Sequence, residues 1–219
     1  MPMPDISRYI PENVKSWFAP KKELGPQRDQ NQEEDLAVEQ SAEVDVSPEE
    51  LEKNPEAYSV SEYVRKNDDG TERRTRLLKN RSEQTDDEIY EEFAIQADDQ
   101  DADFETVGDR TLFIYPKERK IEFDTINISK RKGEGLATDS YKAMIEYLND
   151  RVQELGDDSD EPWTVEMTAF SPATEHLFRR MFNAEKSGPK DFETMTGTLR
   201  SLDDIERDEQ LEIARREAA

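Results

Sequence analysis

A chain of 219 residues with 54 acids against 30 bases carries a formal charge of −24, and only 33% of it is hydrophobic. Most of such a surface repels a phosphate backbone, which excludes general nucleic-acid binding. The absence of cysteine and the single histidine, His176, remove disulfides, thiolate metal sites, a cysteine nucleophile and multi-histidine metal centres.

No apolar run approaches the roughly 20 residues that span a bilayer, and the N-terminus lacks a signal-peptide pattern. The expectation is a protein with no membrane association, cytoplasmic or packaged inside an assembly.

Residues 1–20 carry Ile6, Tyr9, Ile10, Val14, Trp17 and Phe18 at a spacing that suits a short helix after Pro11. Two readings stand: a docking peptide for a protein partner, or a strap packed back on the domain. Residues 21–57 have the composition of a solvated, disordered acidic linker. Within it, Ser47-Pro48-Glu49-Glu50 suits a helix start, with Ser47 as N-cap and Pro48 at the first helical position. The folded domain is placed at 58–200. Residues 201–219 read as a charged tail or surface helix opened by Ser201, three residues before Asp204.

Within the domain, Thr71 to Lys79 reads as a first strand. Thr85-Asp86-Asp87-Glu88 matches a capping box and predicts a helix through about Ala97, with Ile89, Phe93 and Ile95 or Gln96 on its buried side. Phe104 to Val107 suggests a short strand. Thr111 to Tyr115 and Lys120 to Ile128 are further strands, joined in a hairpin by Pro116-Lys117-Glu118-Arg119. In the second of these the apolar phase shifts between Ile121 and Phe123 on one side and Ile126 and Ile128 on the other. A β-bulge near Asp124-Thr125 accounts for the shift, and so does a strand buried on both faces.

Next comes Ser129-Lys130-Arg131-Lys132-Gly133-Glu134-Gly135-Leu136-Ala137-Thr138, then a helix on which Leu136, Ala137, Tyr141, Met144, Leu148, Val152 and Leu155 recur until Gly156 stops it. Two glycines and three cations therefore stand at a helix N-terminus, where backbone N–H groups lack intrahelical partners. A phosphate-bearing ligand is one reading of this run, and a basic connecting turn is the other. Trp163 to Ala169 is a buried strand. Ser171-Pro172 starts a helix with Leu177, Phe178, Met181 and Phe182 on its apolar side, and Thr194 to Leu199 is the last strand.

This order of strand, helix, two or three antiparallel strands, glycine loop and helix, strand, helix, strand resembles the GNAT family of N-acetyltransferases from about Tyr58 to Leu199. Lys130-Arg131-Lys132-Gly133-Glu134-Gly135 stands at that family's loop of pattern Gln/Arg-x-x-Gly-x-Gly/Ala. The resemblance implies an α/β (α+β) fold, a mixed, mostly antiparallel central sheet flanked by helices. It implies that acetyl-CoA, or another acyl-CoA, is held at its pyrophosphate by Lys130, Arg131, Lys132, Gly133, Glu134, Gly135, Leu136 and Ala137. Its pantetheine arm would lie along Ile126 and Ile128, with Ser171 where many members have an asparagine.

The activity implied is transfer of an acetyl group to an amine acceptor by direct attack on the thioester, with no metal. Glu122 and Asp124 are the candidate bases on the strand, with solvated surface acids as the alternative. The tyrosine that protonates the thiolate in many members is replaced here by Leu177 or Phe178. His176 is the remaining candidate acid, with an ordinary surface histidine as the alternative. A catalytically degenerate module, serving as an interaction or structural protein in a viral or cellular assembly, is the competing reading. The acidic surface also resembles that of proteins from salt-loving archaea and their viruses, an origin that would place the chain in a cytoplasm or a virion. A disordered acidic tail beside an ordinary domain gives the same charge.

Overall fold

The computed structural model describes residues 44–67, 69–99, 103–131, 133–156, 161–168, 171–189 and 193–218. The apolar peptide expected at 1–20 and the linker as far as residue 43 lie outside them. The elements in order are β1 (Val44–Asp45), α1 (Pro48–Lys53), β2 (Ser59–Lys66), β3 (Glu72–Gln84), β4 (Ile89–Asp99), β5 (Glu105–Tyr115), β6 (Lys120–Ile128), α2 (Leu136–Glu154), β7 (Thr164–Thr168), α3 (Pro172–Phe182), β8 (Glu185–Ser187), β9 (Thr194–Thr198) and α4 (Leu202–Glu217).

Among the described residues nine strands form one sheet in the order β1-β3-β4-β5-β6-β7-β9-β8, with β2 also paired to β3. The β6–β7 pair is parallel and its neighbours are antiparallel. This is the mixed, mostly antiparallel sheet flanked by helices that the resemblance implied.

Three elements correct the sequence reading. The segment 85–97, expected as a helix, is a turn followed by strand β4. Ile89, Glu91, Phe93, Ile95 and Ala97 all have relative exposures of 0 or 1%, the period-2 burial of a strand face. Glu91 hides that alternation, because an acid at an inward position breaks the apolar pattern. Its burial is compensated by partners on other elements: Tyr147 donates to it at 2.7 Å, Lys79 Nζ lies at 3.0 Å and Arg151 Nε at 3.4 Å. The capping-box residues do cap, but they cap a hairpin: Thr85 Oγ1 accepts from the Glu88 N–H at 3.1 Å while the Thr85 N–H donates to the Glu88 carbonyl at 2.8 Å.

Secondly, the end of the expected linker, 44–57, is structured. β1 pairs with β3, and α1 begins at Ser47, whose hydroxyl accepts the Glu50 N–H, and buries Leu51. Its acids point outward, so a composition dominated by charge still supplies the one apolar anchor it needs. Thirdly, the separate strands at 104–107 and 111–115 are one strand, β5. Gly108, which reads as a break, sits where a side chain would collide with the Asn127 carbonyl of β6.

The bulge reading of β6 holds. Thr111 pairs with Thr125 and Leu112 with Phe123, leaving Asp124 as the extra residue. Ile121, Phe123, Ile126 and Ile128 thereby all turn to the core side of the sheet. α2 crosses that side and buries Leu136, Tyr141, Met144, Ile145 and Leu148, and Gly156, at φ +73°, ends it. α3 starts at Ser171, whose hydroxyl accepts the Thr174 N–H at 3.2 Å, and buries Phe178, Met181 and Phe182. An aromatic cluster, Phe123, Tyr141, Phe178 and Phe182, joins β6, α2 and α3, with ring centroids 4.7 Å apart for Phe178–Phe182 and 5.4 Å for Phe123–Phe182.

Within the charged C-terminal segment, Leu202–Glu217 form a helix, α4, capped by Ser201 and seated by Ile205. It also carries Glu206 and Glu209, which receive Lys142 of α2 at 3.4 and 2.8 Å. Among the described residues no helix is long and apolar enough to cross a membrane.

Candidate functional site

The glycine run forms the link between β6 and α2, and the fold ties down both of its ends. At the start, the N–H groups of Ser129 and Lys130 both donate to the Val107 carbonyl, at 3.0 and 3.2 Å. Val107 is itself the extra residue of a second bulge, between the Ile95–Gly108 and Gln96–Thr106 pairs. At the other end, Gly135 is the N-cap of α2, at φ +81° and with no side-chain cap. Gly133 is also left-handed, at φ +88°. The first intrahelical bond is Asp139 N–H to Gly135 carbonyl, at 3.2 Å. The N–H groups of Leu136, Ala137 and Thr138 precede it and lie at the positive end of the helix dipole, a geometry that favours an anion.

The loop's cations are paired locally: Lys130 Nζ lies 2.8 Å from Glu105, and Arg131 lies 2.7 Å from Glu134. Exposed pairs of this kind contribute about 1 kcal/mol or less, so a phosphate can compete for them. The Lys130 charge does pull the Glu105 carboxyl below its ordinary value, through a hydrogen bond and Coulomb attraction. Lys132 lies outside the described residues. A further cation comes from β2. Arg65 donates to the Gly135 carbonyl at 3.4 Å and pairs with Asp139 in the first turn of α2.

The second part of the site is a cleft where β6 and β7 part. Their ladder runs from Lys120–Thr164 to Phe123–Met167 and stops there, at the Asp124 bulge. β6 continues to Ile128 against β5, and among the described residues no strand pairs with its other edge beyond Phe123. The opening is a cleft of about 430 Å³ lined by Phe123, Asp124, Ile126, Tyr141, Met167, Ser171 and Thr174. The structure thus brings Asp124, Ile126 and Ser171 together. Ile128 packs at the edge of the core beyond the cleft. The Ser171 hydroxyl is engaged as the α3 cap and with Thr174 Oγ1 at 2.8 Å.

Glu122 is not in the cleft. It alternates with the inward Ile121 and Phe123, so it lies on the other face, where Lys120 stands 3.8 Å from it and 3.9 Å from Glu166. His176 is exposed on α3 and does not line the cleft.

Tyr141 is the lining residue whose chemistry the sequence concealed. It sits at a core position of the α2 stripe and is fully buried, yet its hydroxyl reaches Met167 Sδ at 3.8 Å across the cleft wall. Burial pushes its phenol above the ordinary tyrosine value, an effect the nearby Arg110 only partly offsets. No sequence signal distinguishes such a tyrosine from a packing residue; the position of α2 over β6 and β7 does. Among the described residues no group of three or more His, Asp or Glu side chains is arranged to hold a metal ion.

No protein-family model matches the chain, and no curated protein does. Among solved structures it is similar to the crystal structure of nourseothricin acetyltransferase, at 17% identity and a TM-score of 0.35, over 68% of this chain and 94% of that one.

Proposed function

We propose that the chain is an acyl-CoA-dependent N-acyltransferase of the GNAT type, with acetyl-CoA as donor and an amine as acceptor. One observation carries the reading: a single strand, β6, breaks its parallel pairing with β7 at a bulge, opens a cleft there, and leads directly into a glycine-capped helix N-terminus. The residues present fit such a ligand. The uncapped first turn of α2 offers backbone donors to a diphosphate, and the cleft offers an apolar trough beside the edge of β6 where its pairing with β7 ends.

When bound, an acyl-CoA supplies a thioester carbonyl that an amine nitrogen attacks, forming the C–N bond and releasing a thiolate that takes up a proton. The chain's own groups serve the steps around that event. The β6 N–H groups beyond Phe123 stabilise negative charge on the carbonyl oxygen. Asp124, on the bulge, accepts the proton that the amine loses, directly or through water. Tyr141, its phenol held protonated by burial, is the proton donor in the cleft wall. The acidic surface suits a cationic acceptor, and residues 1–20 are proposed to recruit a protein partner.

The second reading, a module that binds without turnover, is favoured by two features of α3: Leu177 and Phe178 offer no phenol, and the Ser171 hydroxyl is occupied as a cap. Calorimetric titration with acetyl-CoA in molar KCl tests the reading. Binding that Gly133→Glu abolishes supports it, and absence of binding at millimolar cofactor overturns it. Acetyl transfer to a panel of amines then separates enzyme from binder.

A further inference from the structure

Buried charges in this chain are paired, with one exception among the described residues. Arg73 is held by Asp139, Arg76 by Gln96 and Glu56, Asp98 by Arg74, Glu91 by Lys79 and Arg151, and Lys142 by Glu206 and Glu209. Arg110 has no carboxylate. It lies on β5 directly across from Ile126, on the core side of the sheet, with no exposed surface. Its Nη2 makes one long bond to Ser140 Oγ, at 3.4 Å, and the neutral Tyr141 phenol interacts with the guanidinium, while Nε and Nη1 have no hydrogen-bond partner. Asp139, the neighbouring acid on α2, is engaged by Arg65 and Arg73.

Burial pushes the Arg110 guanidinium down to about 10, and the Tyr141 phenol is what works against that fall. It therefore remains a cation at neutral pH, buried with two orphan donors, an arrangement that is unfavourable until an acceptor is supplied. The surroundings say where its partner would come from. The guanidinium carbon stands 3.8 Å from the centroid of the Tyr141 ring and 5.4 Å from that of Phe123. Tyr141, Phe123 and the cross-strand neighbour Ile126 are all residues of the cleft wall. The unpaired cation sits immediately behind that wall, in a chain with acids to spare for every other buried base.

We propose that Arg110 recognises a carboxylate on the group that enters the cleft, supplying donors to an acceptor that the chain itself does not provide. The inference rests on the acyl-transfer reading of the cleft and names its substrate class. The carboxylate belongs either to the acyl chain, as in a succinyl thioester, or to the acceptor, as in an amino acid. It takes no part in bond making; its pairing with Arg110 fixes which substrate is held.

The test compares the full chain with Arg110→Met. Succinyl-CoA against acetyl-CoA is measured by calorimetry, and an amino acid against its decarboxylated amine by kcat/KM for acetyl transfer. The wild type should favour the carboxylate-bearing member of at least one pair by about tenfold, which corresponds to about 1.4 kcal/mol. R110M should bring that ratio to about one while leaving acetyl-CoA affinity unchanged. A preference in the first pair assigns the carboxylate to the acyl chain, and one in the second to the acceptor.

No preference in either pair, or a preference that survives in R110M, overturns the proposal. Should R110M fail to fold, Arg110→Lys takes its place and must still lower the ratio, because an ammonium lacks the guanidinium's planar donors. Free succinate, with succinamide as control, gives a readout that needs no CoA. Succinate that raises the melting temperature of the wild type and not of the variant keeps the Arg110 assignment even where acetyl-CoA fails to bind and the acyltransferase reading falls.

Discussion

Arg65 reaches the helix N-cap: its guanidinium donates to the carbonyl oxygen of Gly135 at 3.4 Å, across 70 residues of sequence. A Cβ on Gly135 would stand 2.5 Å from Arg65 Nη1. Two independent constraints thus act at this glycine, a left-handed backbone and a guanidinium packed against the missing side chain. Asp139 holds that guanidinium in place and is itself fixed by Arg73 at 2.5 Å.

Gly133 and Gly135 are therefore not equivalent. Gly133→Ala meets open space and loses only left-handed freedom, at a cost of about 1 kcal/mol. Gly135→Ala bears the same backbone cost and displaces Arg65 from the first turn of α2, for a total of about 2 kcal/mol. Urea unfolding of the two variants measures the difference, and equal losses would show that Arg65 does not constrain the cap.

The contact between α2 and α4 makes stability depend on pH in a defined way. Burial of Glu209 opposes ionisation but is outweighed by the hydrogen bond and charge of Lys142 and by Arg180, so its carboxyl lies below the ordinary value. Burial of Lys142 is likewise outweighed, by Glu209 and Tyr63, and its amine lies above the ordinary value. For the acid, the stabilisation is present above the unfolded value, about 4.3, and is lost as pH falls through the lower folded value. For the base, it is present below about 10.4 and is lost as pH rises through the higher folded value. Lys142→Met should cost about 1–3 kcal/mol at neutral pH, because it strands acids in a half-buried site. It should also flatten both limbs of a stability-pH curve measured by chemical unfolding; limbs as steep as those of the wild type would refute the assignment.

Why β6, its bulge, the glycine loop and α2 are legible in the sequence while β4 is not follows from where charges sit. In β6 every inward residue is apolar, so the phase shift at Asp124 shows. In β4 the inward Glu91 breaks the alternation, and its compensating partners Lys79, Tyr147 and Arg151 lie on other elements. The site divides along the same line. Asp124, Ile126 and Ser171 are carried by local pattern and converge on the cleft. Glu122 precedes the bulge and keeps the outward parity, a consequence of knowing on which side of it the core lies. Arg65, Arg110 and Tyr141 owe their roles to neighbours 26 to 70 residues away, which no local window contains.

That parity argument separates the two carboxylates of β6 by experiment. Asp124→Asn should lower kcat for acetyl transfer by about 100-fold, the usual size of a general-base contribution, with little change in acetyl-CoA affinity. Glu122→Gln should leave both quantities within about twofold, since its carboxylate lies by Lys120 on the far face. The reverse ranking would place the acceptor on the other side of the sheet.

Tyr141→Phe is the sharpest probe of turnover. The ring remains to pack against Phe123, Phe178 and Phe182, and the hydroxyl gives up a contact to Met167 Sδ and its interaction with Arg110. Stability should therefore change by about 1 kcal/mol or less. If the phenol protonates the leaving thiolate, kcat should fall by about 100-fold while acetyl-CoA affinity holds, because the proton is needed only as the C–S bond breaks. A donor whose burial keeps it protonated also predicts that the wild type shows no alkaline loss of kcat up to the ordinary tyrosine value, about 10. An unchanged kcat in Tyr141→Phe would remove the phenol from the mechanism and leave solvent as the proton source.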